Sequence, residues 1–196
     1  MVEYETSDNK VFGGMSLKSK ELIKTVVFFA CLALGLFLLR QFVFTPVVVR
    51  GHSMDPTLAD GERVITLKNT EINRFDIITF PAPDEPDKNY IKRVIGLPGD
   101  TIAYKDDTLY INGKEVDEPY LDEFKKALTD GQPLTGDFSL KEKVPADSYF
   151  VLGDNRRNSK DGRVIGFIHK KDILGEVKFV MWPFSRFGPI PEVSKQ

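Results

Sequence analysis

Ser53 lies in the segment Gly51-His52-Ser53-Met54-Asp55-Pro56-Thr57-Leu58, and Lys92 in Tyr90-Ile91-Lys92-Arg93-Val94-Ile95-Gly96-Leu97-Pro98-Gly99-Asp100. A serine hydroxyl is a weak nucleophile until a neighbouring base takes its proton. A lysine serves as that base only when burial lowers its pKa. Gly51 permits close backbone approach, and a turn bounded by Gly51 and Pro56 can aim the hydroxyl outward while the Ser53 N–H faces an incoming carbonyl. Acyl transfer is the chemistry within reach of such a pair. Each half also has a plainer reading. The serine segment alone resembles many ordinary turns, and Lys92 could be a rim lysine with its ammonium in water, since lysine is seldom buried unpaired. Strand alternation sets Lys92 on one face with Tyr90 and Val94, and Ile91, Arg93 and Ile95 on the other, so one of the two cations must meet apolar surface.

A third polar segment, Gly153-Asp154-Asn155-Arg156-Arg157-Asn158-Ser159-Lys160-Asp161-Gly162-Arg163, follows an apolar strand. Such a loop is either solvated or a hydrogen-bonded network bracing a site. Two histidines are present, His52 and His169. His52 is a poor base for its own neighbour, whereas His169 leaves a Ser-His hydrolase as a rival. There is no Cys/His metal spacing, Walker loop or G-x-G-x-x-G, so neither metal nor cofactor is expected. Lys+Arg of 27 against Asp+Glu of 29 gives a net charge of −2, which offers no footprint for nucleic acid. Cys31 is the one cysteine, which excludes an intrachain disulfide.

The elements that must carry these residues begin with an uncharged run, Thr25–Leu39, preceded by Lys18, Lys20 and Lys24. Extended over Leu22–Phe44 with Arg40 snorkelling, it reaches roughly 35 Å as a helix, enough for a bilayer core of about 30 Å. A retained anchor is the favoured reading. A cleaved signal peptide and a buried helix are the alternatives, the former opposed by the lack of a small-x-small site before Pro46. The leading lysines favour a cytoplasmic N-terminus, only mildly because Arg40 and Arg50 follow. The chain therefore divides into a tail (1–21), an anchor (22–44), a core (45–104 and 144–191), a polar peripheral insert (105–143) and a short end (192–196), with residues 1–17 expected to be disordered.

After Pro46, Val47–Val49, Arg63–Leu67, Asp76–Phe80, Tyr90–Ile95, Thr108–Ile111, Ser148–Leu152 and Glu176–Trp182 read as strands. Asn112-Gly113 marks a two-residue hairpin and Pro98-Gly99 a type II turn. Tyr120, Leu121, Phe124, Ala127 and Leu128 recur at helical spacing after Pro119. The expected fold is mainly β: an antiparallel β core with a small β/loop insert and one N-terminal transmembrane helix. Met181-Trp182-Pro183-Phe184-Ser185-Arg186-Phe187 is read either as core packing of Trp182 or as aromatic anchors in a headgroup region.

Four boxes in order, S-M-x-P-T-L at Ser53–Leu58, F-D-I-I-T-F at Phe75–Phe80, Y-I-K-R-V-I-G-L-P-G-D at Tyr90–Asp100 and G-D-N-R-x-N-S-x-D-x-R at Gly153–Arg163, resemble the bacterial type I signal peptidases. The likeness runs from the apolar helix to about Pro191. It implies that Ser53 is the nucleophile and Lys92 the general base, that Ser159 orients the lysine, and that Asp161 and Arg163 hold the loop. It maps substrate-binding positions onto Val49, Gly51, Met54, Leu58, Tyr90 and Ile91. It implies substrates that are exported preproteins with small residues at the first and third positions before the cut, met at the bilayer surface near the secretion translocon. The catalytic body would then lie on the extracytoplasmic side of a single-pass anchor in the cell membrane. Two departures stand out. Arg157 replaces a frequent aspartate, and where some members carry a serine this chain has Gly51, a glycine that many Gram-positive-type members share. A non-catalytic relative would lack the serine or the lysine, and this chain keeps both. A peptidase-like relative dedicated to one partner stays open.

Overall fold

The computed structural model describes residues 17–191 and 193, and the chain divides into two units between Gln41 and Phe42. Helix α1, Leu17–Phe42, belongs to the first unit in all but its last residue. Its stretch Lys20–Phe42 has a mean hydropathy of 2.5 and buries none of its surface in the protein, which fits a single-pass membrane anchor. The helix stops two residues short of the expected Phe44. Pro46 lacks an N–H and disfavours α conformation at Thr45, so the chain is already extended by Phe44. The disordered tail expected over residues 1–17 lies outside the described residues, Leu17 aside, as does the short end at 192–196 except for Val193.

Among the described residues the second unit holds twelve strands. They are β1 (Phe44–Val48), β2 (Arg63–Leu67), β3 (Ile77–Pro81), β4 (Asn89–Gly96), β5 (Ile102–Lys105), β6 (Thr108–Ile111), β7 (Lys114–Val116), β8 (Phe138–Ser139), β9 (Ser148–Leu152), β10 (Ile168–His169), β11 (Gly175–Trp182) and β12 (Gly188–Pro189). Two short helices, α2 (Asp122–Ala127) and α3 (Gly162–Ile165), lie between them. The main sheet runs β1-β2-β11-β3-β4-β9-β10, with β12 added to β11. A second sheet runs β7-β6-β5-β8. Every pairing is antiparallel, in agreement with the mainly β expectation.

Local chemistry explains the layout. Pro46 sits in β1, an edge strand, where a missing donor costs no ladder bond. Asn112 and Gly113 both take positive φ, 54° and 78°, as a two-residue hairpin turn between β6 and β7 demands. Gly99 turns at φ 88° while the Asp100 N–H donates to Leu97 O. The expected helix after Pro119 is a 3-10 turn followed by α2. The second sheet starts at Ile102, and its Ile102, Tyr104, Leu109 and Ile111 share one buried cluster with Ile95, Phe150 and Leu152 of the main sheet. At about 1.5–3 kcal/mol for each fully buried large side chain, that shared core binds the two sheets firmly.

Candidate active site

The serine turn is pinned at both ends. Val49 exchanges two backbone hydrogen bonds with the returning chain, donating to Glu62 O at 2.8 Å and accepting from Gly61 N at 3.0 Å. Met54 and Leu58, flanking the turn, are buried among Val49, Val64, Ile77, Ile91, Val177 and Val180. The Gly51 N–H donates to Asp60 Oδ1 at 2.7 Å, and Gly51 takes φ 82°, a conformation a side chain would strain. Ser53 is therefore held by apolar anchors beneath it, and its hydroxyl faces a cleft of about 690 Å³.

Lys92 reaches the serine from β4. Ile78 on β3 lies opposite it in register, and β9 pairs along the other side of β4, so the strand is covered on both flanks. Lys92 Nζ hydrogen bonds Ser53 Oγ at 2.7 Å and donates to its neighbour's carbonyl, Ile91 O, at 3.0 Å. The residue is only 3% exposed. Burial pushes its pKa down from 10.5 to about 8, while the more distant carboxylates of Asp161 and Asp154 pull weakly the other way. Near pH 8 a sizeable fraction is the free amine, the form that can take the serine's proton.

The strand reading expected one of the two neighbouring cations to meet apolar surface; both are buried. Arg93 is 2% exposed and forms a two-pronged pair with Asp154, Nε to Oδ1 at 2.8 Å and Nη2 to Oδ2 at 2.6 Å. Burial alone would depress its pKa, yet Asp154's charge and hydrogen bonds hold it above its ordinary value. Thr57 Oγ1 donates to the same carboxylate at 2.5 Å, so three of the four boxes meet at Asp154. This pairing was not anticipated from the sequence. Its only signal was that D follows G in the last box and R follows K in the third.

The loop Gly153–Arg163 is the network, not the solvated alternative. Asp161 accepts from the Gly153 N–H at 3.0 Å and from Arg163 Nε and Nη2 at 2.8 and 2.9 Å. Arg163 Nη2 also donates to Arg156 O at 2.6 Å. Asn155 ties the loop to the serine turn, its N–H donating to Ser53 O at 3.1 Å and its Nδ2 to His52 O at 3.1 Å. Gly153 leaves no room for a side chain, since a Cβ there would lie 2.2 Å from Ser159 Oγ and 2.5 Å from Ser53 O. Ser159 is thus packed against the serine turn, and its hydroxyl is buried with no hydrogen-bond partner. Arg157, at the position of the frequent aspartate, reaches outward to Asp130 at 2.6 Å and to the Pro133 and Gln132 carbonyls.

Val49, Gly51, Met54, Tyr90 and Ile91 line the cleft with Ser53 and Lys92. Leu58 does not, being fully buried in the cluster beneath. Charged residues that the sequence did not mark as cleft positions, Glu85, Asp87 and Lys160 among them, rim the same cleft, and Lys160 pairs with Asp84. Tyr90 OH donates to Glu85 Oε1 at 2.7 Å. The histidine rivals are occupied elsewhere. His169 Nδ1 lies 3.1 Å from Ser148 Oγ and His52 Nδ1 3.0 Å from Asp55 Oδ2. Among the described residues no cluster of three or more His, Cys, Asp or Glu could hold a metal.

Residues 19–182 match the family described as Signal peptidase, peptidase S26. The chain is 53% identical over 159 residues to Signal peptidase I of Bacillus caldolyticus, spanning 76% of this chain and 86% of the relative. It is 42% identical over 181 residues to Signal peptidase IB of Staphylococcus aureus strains, spanning 86% and 93%. A crystal structure of a signal peptidase I from Enterococcus faecalis V583, at 43% identity, superposes with a TM-score of 0.51, covering 55% of this chain and 97% of that one. Likeness that begins in the apolar helix and continues unbroken to the last residue of β11 covers the anchor, the serine turn, the lysine strand and the bracing loop alike, and so the chain belongs to the S26 signal peptidase family.

Proposed function

We propose that this protein removes signal peptides from exported preproteins, with Ser53 as nucleophile and Lys92 as general base. The observation that carries the assignment is the 2.7 Å contact between Ser53 Oγ and a lysine whose pKa burial has brought to about 8. Neutral Lys92 Nζ takes the proton as Ser53 Oγ attacks the scissile carbonyl. The resulting ammonium then protonates the leaving amine, which departs as the new N-terminus of the mature protein. Water, deprotonated by the regenerated amine, releases the signal peptide from Ser53. The Ser53 N–H donates to no protein acceptor among the described residues, and it serves as an oxyanion donor. Asp161 and Arg163 hold the loop. Ser159 packs against Gly153 with its hydroxyl unbonded among the described residues, so Lys92 is oriented by Ser53 and the Ile91 carbonyl and not, as the resemblance implied, by Ser159.

Val49, Met54, Tyr90 and Ile91 give the cleft apolar walls that suit small side chains before the cut. The bilayer belongs to the same reading. Trp182, Phe184 and Phe187 are 47%, 75% and 60% exposed, so Trp182 is not a core residue, and its ring packs edge-on to Phe184 at 4.9 Å. An exposed cluster of this kind suits the headgroup region. We assign α1 as an anchor with a cytoplasmic N-terminus, and the body to the extracytoplasmic face near the translocon. The test is processing of a preprotein by the full chain in detergent, read by sequencing the new N-terminus. Ser53→Ala and Lys92→Ala lose at least 10²–10⁴-fold in rate, whereas His169→Ala keeps most of it. A folded but inactive His169→Ala protein refutes the assignment of the base.

A further inference from the structure

The segment that carries the second sheet, Tyr104 from β5 and Glu118, Tyr120 and Thr135 from the turns between its strands, contributes a group of buried and partly buried polar residues to the catalytic loop. Arg156 is buried, and its Nη1 donates to Tyr104 OH at 2.8 Å and Thr135 Oγ1 at 3.0 Å. Its Nη2 pairs with Glu118 Oε1 at 2.5 Å and reaches Tyr120 OH at 3.2 Å. Tyr120 OH in turn donates to Glu118 Oε1 at 2.5 Å. All four partners come from residues 104–135, outside the four boxes and distant in sequence from both Ser53 and Lys92. A buried ion pair with each donor satisfied is rigid, and it holds whatever its members touch.

What they touch is the site. Arg156 Nε donates to Gly153 O at 2.9 Å, gripping the residue whose missing side chain lets Ser159 and Ser53 approach. The Tyr120 ring lies 3.9 Å beneath the Arg93 guanidinium, and Arg93 is the residue after the lysine. One tyrosine thus borders both structures that fix the pair, the loop through Arg156 and the strand through Arg93. We propose that Tyr120, with Glu118, is a positioning residue for peptide cleavage, setting the Ser53–Lys92 geometry from the turn that follows β7 without touching substrate. The proposal rests on the Ser53–Lys92 reading above.

The experiment uses the full chain in detergent micelles and a preprotein substrate. It measures kcat and KM per titrated serine, counted with a serine-directed acylating probe, and the acid limb of the kcat/KM pH profile. That limb reports the lysine, which faces Ser53, the Tyr90 ring and, farther off, Asp154 and Asp161. Tyr120→Leu removes both ring and hydroxyl. Its kcat is expected to fall by roughly 10- to 100-fold with KM within about twofold, the range a small misplacement of reacting groups produces. The acid limb moves to higher pH as the lysine opens to water. Tyr120→Phe keeps the ring over Arg93 and falls only about threefold, with a smaller displacement of the limb in the same direction. A merely structural residue would lower the number of titratable serines and leave kcat per serine and the limb unchanged, and that result overturns the proposal. Should Tyr120→Leu fail to fold, Tyr120→Phe decides alone, and wild-type kcat with an unmoved limb overturns it. Ser53→Ala and Lys92→Ala run alongside, and activity surviving in either defeats the dyad itself whatever Tyr120 does.

Discussion

Replacing Lys92 with methionine should inactivate the enzyme and stabilise it at the same time. The side chain keeps its length and loses the charge that the buried site tolerates poorly. A pKa lowered from 10.5 to about 8 corresponds to roughly 3 kcal/mol, at 1.36 kcal/mol for each pH unit. The sign follows from proton binding. Below pH 8 both states carry the ammonium, and the folded state bears the full cost of burying it. Between pH 8 and 10.5 the unfolded lysine is still protonated while the folded one is neutral, so wild-type stability rises with pH relative to the variant. Above 10.5 the cost has gone. Lys92→Met is therefore expected to be about 3 kcal/mol more stable at pH 7 and nearly equal to wild type at pH 10.5. With a urea dependence of about 2 kcal/mol per molar, the midpoint difference is roughly 1.5 M at pH 7. Urea midpoints of the full chain in nonionic detergent, followed by circular dichroism, measure it, and other groups titrating in this range cancel in the difference. No gain at pH 7, or a gain that persists unchanged at pH 10.5, means the lysine is solvated in the folded protein and refutes the account of its basicity.

Gly153→Ala places a methyl group 2.2 Å from Ser159 Oγ and 2.5 Å from the Ser53 carbonyl, backbone that cannot retreat without moving Ser53, the proposed nucleophile. Processing should fall by about 100-fold or more, and a variant with wild-type kcat in the same preprotein assay would show that the approach is loose. For the aromatic cluster, a body beginning at Phe44 should bind lipid vesicles, and the double change Phe184→Asp with Phe187→Asp should abolish that binding while leaving the circular dichroism unchanged. Co-sedimentation reads both, and a wild-type body that stays in the supernatant removes the headgroup role.

Strands with strong local signals were readable from the chain alone: β2 and β6 begin and end where their alternation does, β9 where its apolar run does, and the Asn112-Gly113 turn specifies its hairpin without outside help. The strand β5, Ile102–Lys105, was not, although β6 is equally short; it lies where the polar segment begins and is completed by β6 and β8, further along the chain. Lys92 could be singled out by its type in an apolar strand. Arg93 could not be placed, since alternation assigns faces within one strand and is silent when neighbours cover both faces. Its carboxylate partner Asp154 stands 61 positions away. Glu118 read as a surface-like residue of a polar segment and Tyr120 as one apolar position of a short helix, and only the fold reveals that the buried Glu118 and the partly buried Tyr120 gather around Arg156. Leu58 shows the converse: an apolar residue in the serine box, it packs under the turn and leaves the cleft wall to Met54.

Lys92 and Arg93 are nearly equally buried, yet their fates as cations are opposite, and the difference lies in what each touches. Arg93 meets a carboxylate at 2.6–2.8 Å on two prongs, and that attraction outweighs desolvation and keeps it charged. Lys92 meets a hydroxyl and a carbonyl, neither of which carries a charge to repay the lost water, so the neutral amine gains. Asp154 is close enough to pull the lysine's pKa upward, but it is already neutralised by the arginine beside it. A single carboxylate thus separates the two roles on adjacent residues. Arg93 consumes its charge to fix the loop, and what remains at Lys92 is burial without a counterion, the condition under which a lysine becomes a base at all.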